Sequence, residues 1–169
     1  MKVIVKKYNP QWKTDFEQIK SEIISALGEL ALSVEHVGST SVEGMSAKPI
    51  IDIDVVISSN AVLPAVIEKL SSIGYIHEGN LGIEGREAFK YENKPHLQEH
   101  HLYVCPENSP ELFRHITFRN YLRSHPEAAA EYSSVKEEAA RLYPDDIEKY
   151  IQYKSPCIEQ FYALCGLSN

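Results

Sequence analysis

Hydrophobic positions change their period several times along this chain, and each change marks an element. Lys2–Tyr8 alternates as a strand or an extended arm would. Trp12, Phe16, Ile19, Ile23 and Leu27 then recur at helical spacing. That helix is opened by Asn9 as cap and Pro10 at its first position, and it ends at Gly28. Leu32–Val37 reads as a strand with Leu32, Val34 and His36 on one face. Ile50–Ile57 is β-branched at almost every position, the pattern of a strand buried on both faces. After a turn and cap at Ser58–Asn60, Ala61–Ile73 is helical, with Val62, Val66, Leu70 and Ile73 inward and Gly74 as the stop. Tyr75–His77, Arg86–Tyr91 and Glu99–Cys105 read as strands. They are separated by a glycine-rich loop at Glu78–Gly85, either a connector or a mobile lid, and by a second loop at Glu92–Gln98. Beyond a turn at Pro106, strand patterning stops. Three helices follow: from Ser109-Pro110 to Arg123, from Pro126 to Leu142, and from Asp145 to Leu164, the last kinked or interrupted at Pro156.

This succession predicts an α+β protein, a mixed sheet with packed helices and a helical C-terminal segment. Its 169 residues suit one domain, with a sheet-containing part over 1–107 and a helical part over 108–169. Strands Val34–Val37 and Ile50–Ile57 should be neighbours, because the connection between them is short. Helices should cover the sheet face that lacks Asp52 and Asp54.

Those two aspartates break the apolar run. They are two residues apart, so a strand points both to one face. Two like charges in apolar surroundings need compensation. A hard divalent cation such as Mg²⁺, held by both carboxylates, supplies it; an edge strand with both side chains in water is the alternative. Just upstream, Gly38 permits a sharp turn and close approach of a ligand. Ser39, Thr40 and Ser41 offer hydroxyls and N–H groups at the start of a helical turn, a suitable cradle for phosphate. Read alone, the same residues are better taken as a serine-rich turn with a helix cap, and it is the two carboxylates of the next strand that favour the cradle.

Gly38-Ser39, twelve intervening residues, then Asp52-Ile53-Asp54 resembles the signature of the nucleotidyltransferase superfamily. The full run from Gly38 to Ile53 is similar to the GrpB-like branch. So are His100-His101-Leu102-Tyr103-Val104, the stretch from Phe118 to Pro126, and Tyr150 through Lys154, so the resemblance spans nearly the whole chain. It implies the nucleotidyltransferase fold, with Mg²⁺ (or Mn²⁺) on Asp52 and Asp54 and the phosphates of a nucleoside triphosphate at Gly38, Ser39 and Thr40. The implied reaction transfers a nucleoside monophosphate to an acceptor that the sequence does not name. The resemblance also implies a third carboxylate from a later strand. This chain carries His101 there, with Glu99 the nearest acid, so His101 is expected as ligand or base. The alternative is a nucleotide-binding or regulatory protein that keeps the cradle without turnover. Lys154 matches a late lysine of the family and is a candidate triphosphate contact. Lys48 follows the turn and can neutralise phosphate. Arg119 can hold a phosphate or tie the helical part to the sheet by an ion pair. Arg86 and Lys90 share a strand face and add to the set.

Composition narrows the partners. Seventeen basic against 24 acidic residues give a net charge of −7, which disfavours a broad nucleic-acid surface. No window approaches the ~20 apolar residues of a membrane span. The N-terminus becomes charged too quickly for a signal peptide. Cys105, Cys157 and Cys165 lack close paired spacing, so a reducing cytoplasm is the expected setting. His96, His100 and His101 lie close in sequence around Glu99 and raise a further reading, a histidine-centred metallohydrolase.

Overall fold

The computed structural model describes residues 2–167. Its sheet has five strands: β1 (Ser33–Val37), β2 (Ile51–Ile57), β3 (Ile76–Gly79), β4 (Glu87–Lys90) and β5 (His100–Pro106). Their spatial order is β1-β2-β5-β4-β3, and only the β2–β5 pair is parallel. The five helices are α1 (Gln11–Leu27), α2 (Leu63–Ser71), α3 (Pro110–Ser124), α4 (Pro126–Leu142) and α5 (Ile147–Leu164). This is the mixed α+β architecture that the patterning predicts, and β1 and β2 are antiparallel neighbours.

Helix α1 starts one residue beyond Pro10, with the Asn9 side chain accepting from the Gln11 N–H. Ser109 and Asp146 cap α3 and α5 in the same way. Helix α5 is assigned without a break across Pro156, so the expected interruption does not occur. Lys2–Tyr8 is an extended arm rather than a strand: it makes one bridge, Lys6 to Ala47, and buries Val3 against Ala139 and Tyr150.

The main core lies on one side of the sheet. Ile51, Ile53, Val55 and Ile57 of β2 pack there with Trp12, Phe16, Ile19 and Ile23 of α1 and Val66 and Leu70 of α2. Val34 of β1 joins them, whereas Leu32 lies outside the strand and is exposed. The opposite face carries Asp52, Asp54 and Val56. It is not left bare, because α3 closes part of it by packing Leu112 and Ile116 on Val56 and Cys105. A third apolar cluster joins Val42 and Met45, just after the Gly38–Ser41 turn, to Leu122, Tyr132 and Phe161 of the three C-terminal helices. The turn is thereby anchored in both halves. Among the described residues no helix is long and apolar enough to cross a membrane.

Candidate functional site

The site begins with Gly38, at the end of β1. Its φ of 75° and ψ of −177° suit glycine alone. A Cβ at this position would fall on Asp52 Oδ2, so the backbone turns directly against that carboxylate. Ser39–Ser41 then forms a short 3₁₀ turn. Arg123, on α3, grips the turn from the helical side. Its Nε and Nη2 both donate to the Ser41 carbonyl, at 3.0 and 2.8 Å.

Not every hydroxyl of the turn faces a ligand. Thr40 Oγ1 shares a 2.9 Å hydrogen bond with His36 Nε2. The His36 ring is stacked on Phe16, and burial, aided by Arg123, brings its pKa down to about 4. Ser41 Oγ donates back to the Gly38 carbonyl. The free hydroxyl of the set is Ser39, which lines both cavities of the cleft.

The two aspartates share a face but differ in setting. Asp52 lines both cavities, whereas Asp54 is fully buried beneath them. Asp52 pairs in register with His101 of β5, whose Nδ1 donates to Asp52 Oδ1 at 3.1 Å. That bond raises the His101 pKa against the opposing pull of burial. Asp54 is met from α3 instead, where His115 Nδ1 donates to its Oδ2 at 2.6 Å. His115 Nε2 lies 3.3 Å from Glu111 Oε1, so both ring nitrogens face carboxylates. Burial works to lower the His115 pKa, but the Asp54 hydrogen bond and the charges of Asp54 and Glu111 outweigh it and raise the pKa. The remaining oxygen, Asp54 Oδ1, is buried without a partner.

An orphaned buried acceptor beside a cavity-facing carboxylate fits a divalent cation. Among the described residues no third His, Cys, Asp or Glu completes a ligand set with them. Two carboxylates alone leave the remaining positions of such an ion to water or to the oxygens of a ligand. The histidine cluster does not form. His96 bonds Glu22, His100 is buried between Tyr75 and the Gln98 carbonyl, and His101 turns to Asp52. Neighbours in sequence diverge here because strand alternation sends His100 and His101 to opposite faces.

Three lysines gather around Asp52. Lys48 and Lys154 lie 4.8 and 5.0 Å from the Tyr150 ring centroid, and Lys136 Nζ lies 4.5 Å from that of Tyr132. All three line a cavity of about 220 Å³ with Ser39, Asp52 and His101. The lysine ion pairs of the described residues lie elsewhere, at Lys7–Glu137 and Lys13–Glu43. Burial lowers all three pKa values, Lys136 to about 7 and Lys154 to about 8. Three lysines outside any ion pair, facing the single carboxylate of Asp52 in the cavity, suit a polyanion. Sequence reasoning missed Lys136. Its signal was a lysine on the buried stripe of α4, four residues after Tyr132. His115 was also missed; the Glu111–His115 spacing was the clue. Arg119 lines the larger cavity, but its Nη1 donates to Glu35 Oε1 at 2.9 Å and to the His36 carbonyl at 3.1 Å. It thus makes the sheet-to-helix tie that was one of its two expected roles.

Comparison with known proteins gives the family and the fold. The profile of the family described as GrpB protein matches residues 2–163. YqkA, a UPF0157 protein of Bacillus subtilis, is 36% identical over 159 residues, covering 94% of this chain and 46% of YqkA; the chain thus spans about half of that relative's length. The crystal structure of conserved protein GrpB from Enterococcus faecalis superposes with a TM-score of 0.77 at 33% identity, covering 94% of this chain and 99% of that one. The structure of Cid1 in complex with the UTP analogue UMPNPP matches with a TM-score of 0.52 at 12% identity, over 77% of this chain and 40% of Cid1. At that identity the likeness is one of fold.

Proposed function

The chain belongs to the GrpB family, and from that membership and the geometry of the cleft we propose that it is a metal-dependent nucleotidyltransferase of the cytoplasm. It would transfer a nucleoside monophosphate from a nucleoside triphosphate to an acceptor. One observation carries this reading: the Gly38–Ser39 turn lies directly against Asp52, beside three lysines without ion-pair partners. In this scheme the β- and γ-phosphates rest on the turn and on Lys48, Lys136 and Lys154. Held there, the triphosphate presents its α-phosphate toward Asp52 for in-line displacement. Mg²⁺ or Mn²⁺, bound by Asp52 and Asp54 together with phosphate oxygens, would neutralise charge on the α-phosphate and the departing pyrophosphate. Cid1 was solved with a UTP analogue, which supports a triphosphate as ligand of this fold. The lysines are inside the cleft and the molecule's net charge is −7, so the anion recognised is one that enters the cleft, not a nucleic acid on an outer surface.

A second reading, a nucleotide-binding protein without turnover, draws on the two imidazoles already bonded to Asp52 and Asp54. Calorimetric titration with a non-hydrolysable triphosphate and Mg²⁺, followed by incubation with labelled triphosphates, separates the two. Binding with pyrophosphate release supports transfer, and binding alone supports the second reading. Gly38→Ala places a methyl on the Asp52 carboxylate at a positive φ. It should lose most of the triphosphate affinity and cost about 1–3 kcal/mol of stability. Wild-type affinity in that variant would remove the basis of both readings.

A further inference from the structure

Two cations of the cleft have no part in the scheme above. Arg86, just ahead of β4, lays its guanidinium 4.1 Å from the centroid of the Tyr103 ring, and its Nε is buried without a hydrogen-bond partner. Arg114, on α3, lies 5.2 Å from the Tyr162 ring centroid. Both line the larger cavity, of about 300 Å³, which shares Ser39, Asp52 and Lys154 with the lysine-lined one. The arginine ion pairs of the described residues are Arg119–Glu35 and Arg141–Glu138, so neither Arg86 nor Arg114 is in an ion pair. A guanidinium oriented by an aromatic ring and left outside any ion pair is organised to receive an anion. If the lysines take the triphosphate, these arginines face a second anion across Asp52.

The same wall is poor in groups that would deprotonate a hydroxyl. His101 lines the lysine-lined cavity and not this one, both ring nitrogens of His115 face carboxylates, and Arg86 covers the Tyr103 ring. A hydroxyl acceptor needs a base within hydrogen-bond reach. A phosphate monoester is anionic already and needs none. We infer that the acceptor is a small molecule bearing a phosphate monoester, seated on Arg86 and Arg114; this rests on the nucleotidyltransferase reading. Two guanidinium forks match the charge and the several oxygens of a phosphate better than a single carboxylate. In the step, a terminal oxygen of the acceptor phosphate uses its own lone pair to attack the α-phosphorus. The bond from that phosphorus to the oxygen bridging to the β-phosphate breaks, and pyrophosphate leaves with the electron pair. The product joins nucleoside and acceptor through a P–O–P bridge. No proton need be removed and nothing is oxidised or reduced.

The test is a binding measurement on the full chain, first alone and then with a non-hydrolysable triphosphate and Mg²⁺ in place. Inorganic phosphate and acetate are titrated separately and followed by calorimetry, with thermal melts checking that each variant is folded. The wild type should bind phosphate together with the triphosphate and should bind acetate more weakly. Arg86→Met and Arg114→Met should each weaken phosphate binding by roughly tenfold or more while leaving triphosphate affinity unchanged. Arg86→Lys, which keeps the charge but loses the fork, should fall between and decides the matter if the methionine variants misfold. Phosphate affinity unchanged in the folded variants, or acetate held as tightly as phosphate, would overturn the inference. A wild type that binds no triphosphate sinks the underlying reading instead, and the titration without triphosphate still reports whether the arginines hold phosphate.

Discussion

The two faces of β2 are built from alternate residues of one strand, yet they obey different rules. On one face Ile51, Ile53, Val55 and Ile57 are fully buried against α1 and α2. On the other, Asp52 and Asp54 meet charged groups brought by other elements: His101 from β5, His115 from α3, Lys136 from α4 and Lys154 from α5. The apolar face is satisfied mainly by elements near in sequence, α1 and α2, and its energy is simple burial. The polar face depends on segments about fifty to a hundred residues away, and its charges are only partly compensated. Stability is concentrated on the first face and the proposed binding site lies on the second, so substitutions on the two sides should separate these properties.

The largest separation should come from Ile53→Ala. Removing a fully buried side chain from the apolar face should cost about 2–5 kcal/mol, read as a lower midpoint in urea with little change in slope. The folded fraction should still bind triphosphate as the wild type does. A loss of affinity larger than the loss of folded protein would show that the two faces are coupled.

Lys136→Met should act in the opposite sense. It replaces a lysine that is 3% exposed and makes no ion pair, and burial there outweighs the pull of Asp52 and Glu137, so stability at neutral pH should rise, by about 1–4 kcal/mol, while triphosphate affinity falls. The pH dependence carries a definite sign. Burial, with repulsion from Lys154, holds the folded pKa at about 7, below the ordinary ~10.4 of an unfolded chain. Between those values the unfolded chain binds more protons, so wild-type stability should rise with pH relative to the variant. Melts from pH 6 to 10 that run parallel for the two proteins would contradict this account of Lys136.

How much of this was legible in the sequence follows the same division. The apolar face could be read from Trp12 to Ile57 because period alone assigns residues to sides of a helix or strand. The Gly38-Ser39 turn and the aspartate pair were visible because each breaks a local pattern. Arrangements that depend on how helices rotate against the sheet were not visible. His115 reaches Asp54 and Lys136 reaches the cavity only because α3 and α4 pack as they do, and no local signal fixes that. The reverse error has the same cause. His96, His100 and His101 are a cluster in one dimension and point three ways in space.

Asp54→Asn sharpens the polar side of the comparison. It keeps shape but removes the charge that His115 meets, and it should cost about 1–3 kcal/mol at pH 6. Relief of like-charge repulsion will not offset this, because His115 already answers Asp54. Burial and the charge of Arg86 work to lower the His115 pKa, but Asp54 and Glu111 outweigh them and raise it. Its contribution is therefore fully present below the ordinary ~6.5 and is lost as pH rises through the elevated folded value. The gap between wild type and variant should narrow over that window. A constant gap would mean that shape, not charge, holds the pair.

The smallest effect on stability should come from His101→Ala. The pair with Asp52 is half-exposed, with side-chain exposures of 52% and 36%, and such pairs contribute about 0–1 kcal/mol. Its sign follows that of His115, present below ~6.5 and fading as pH passes the raised His101 pKa. Function should respond more than stability does. The Gly38 turn and the lysines remain, so triphosphate affinity should change little. Turnover should fall, because Asp52 loses the bond that orients it. Glutamine at this position can still donate to Asp52 but cannot serve as a base, so His101→Gln separates the two possible roles. We expect His101→Gln to recover most of the turnover that alanine loses, with a flatter pH profile than the wild type. A glutamine variant as inactive as the alanine one would return His101 to the role of ligand or base.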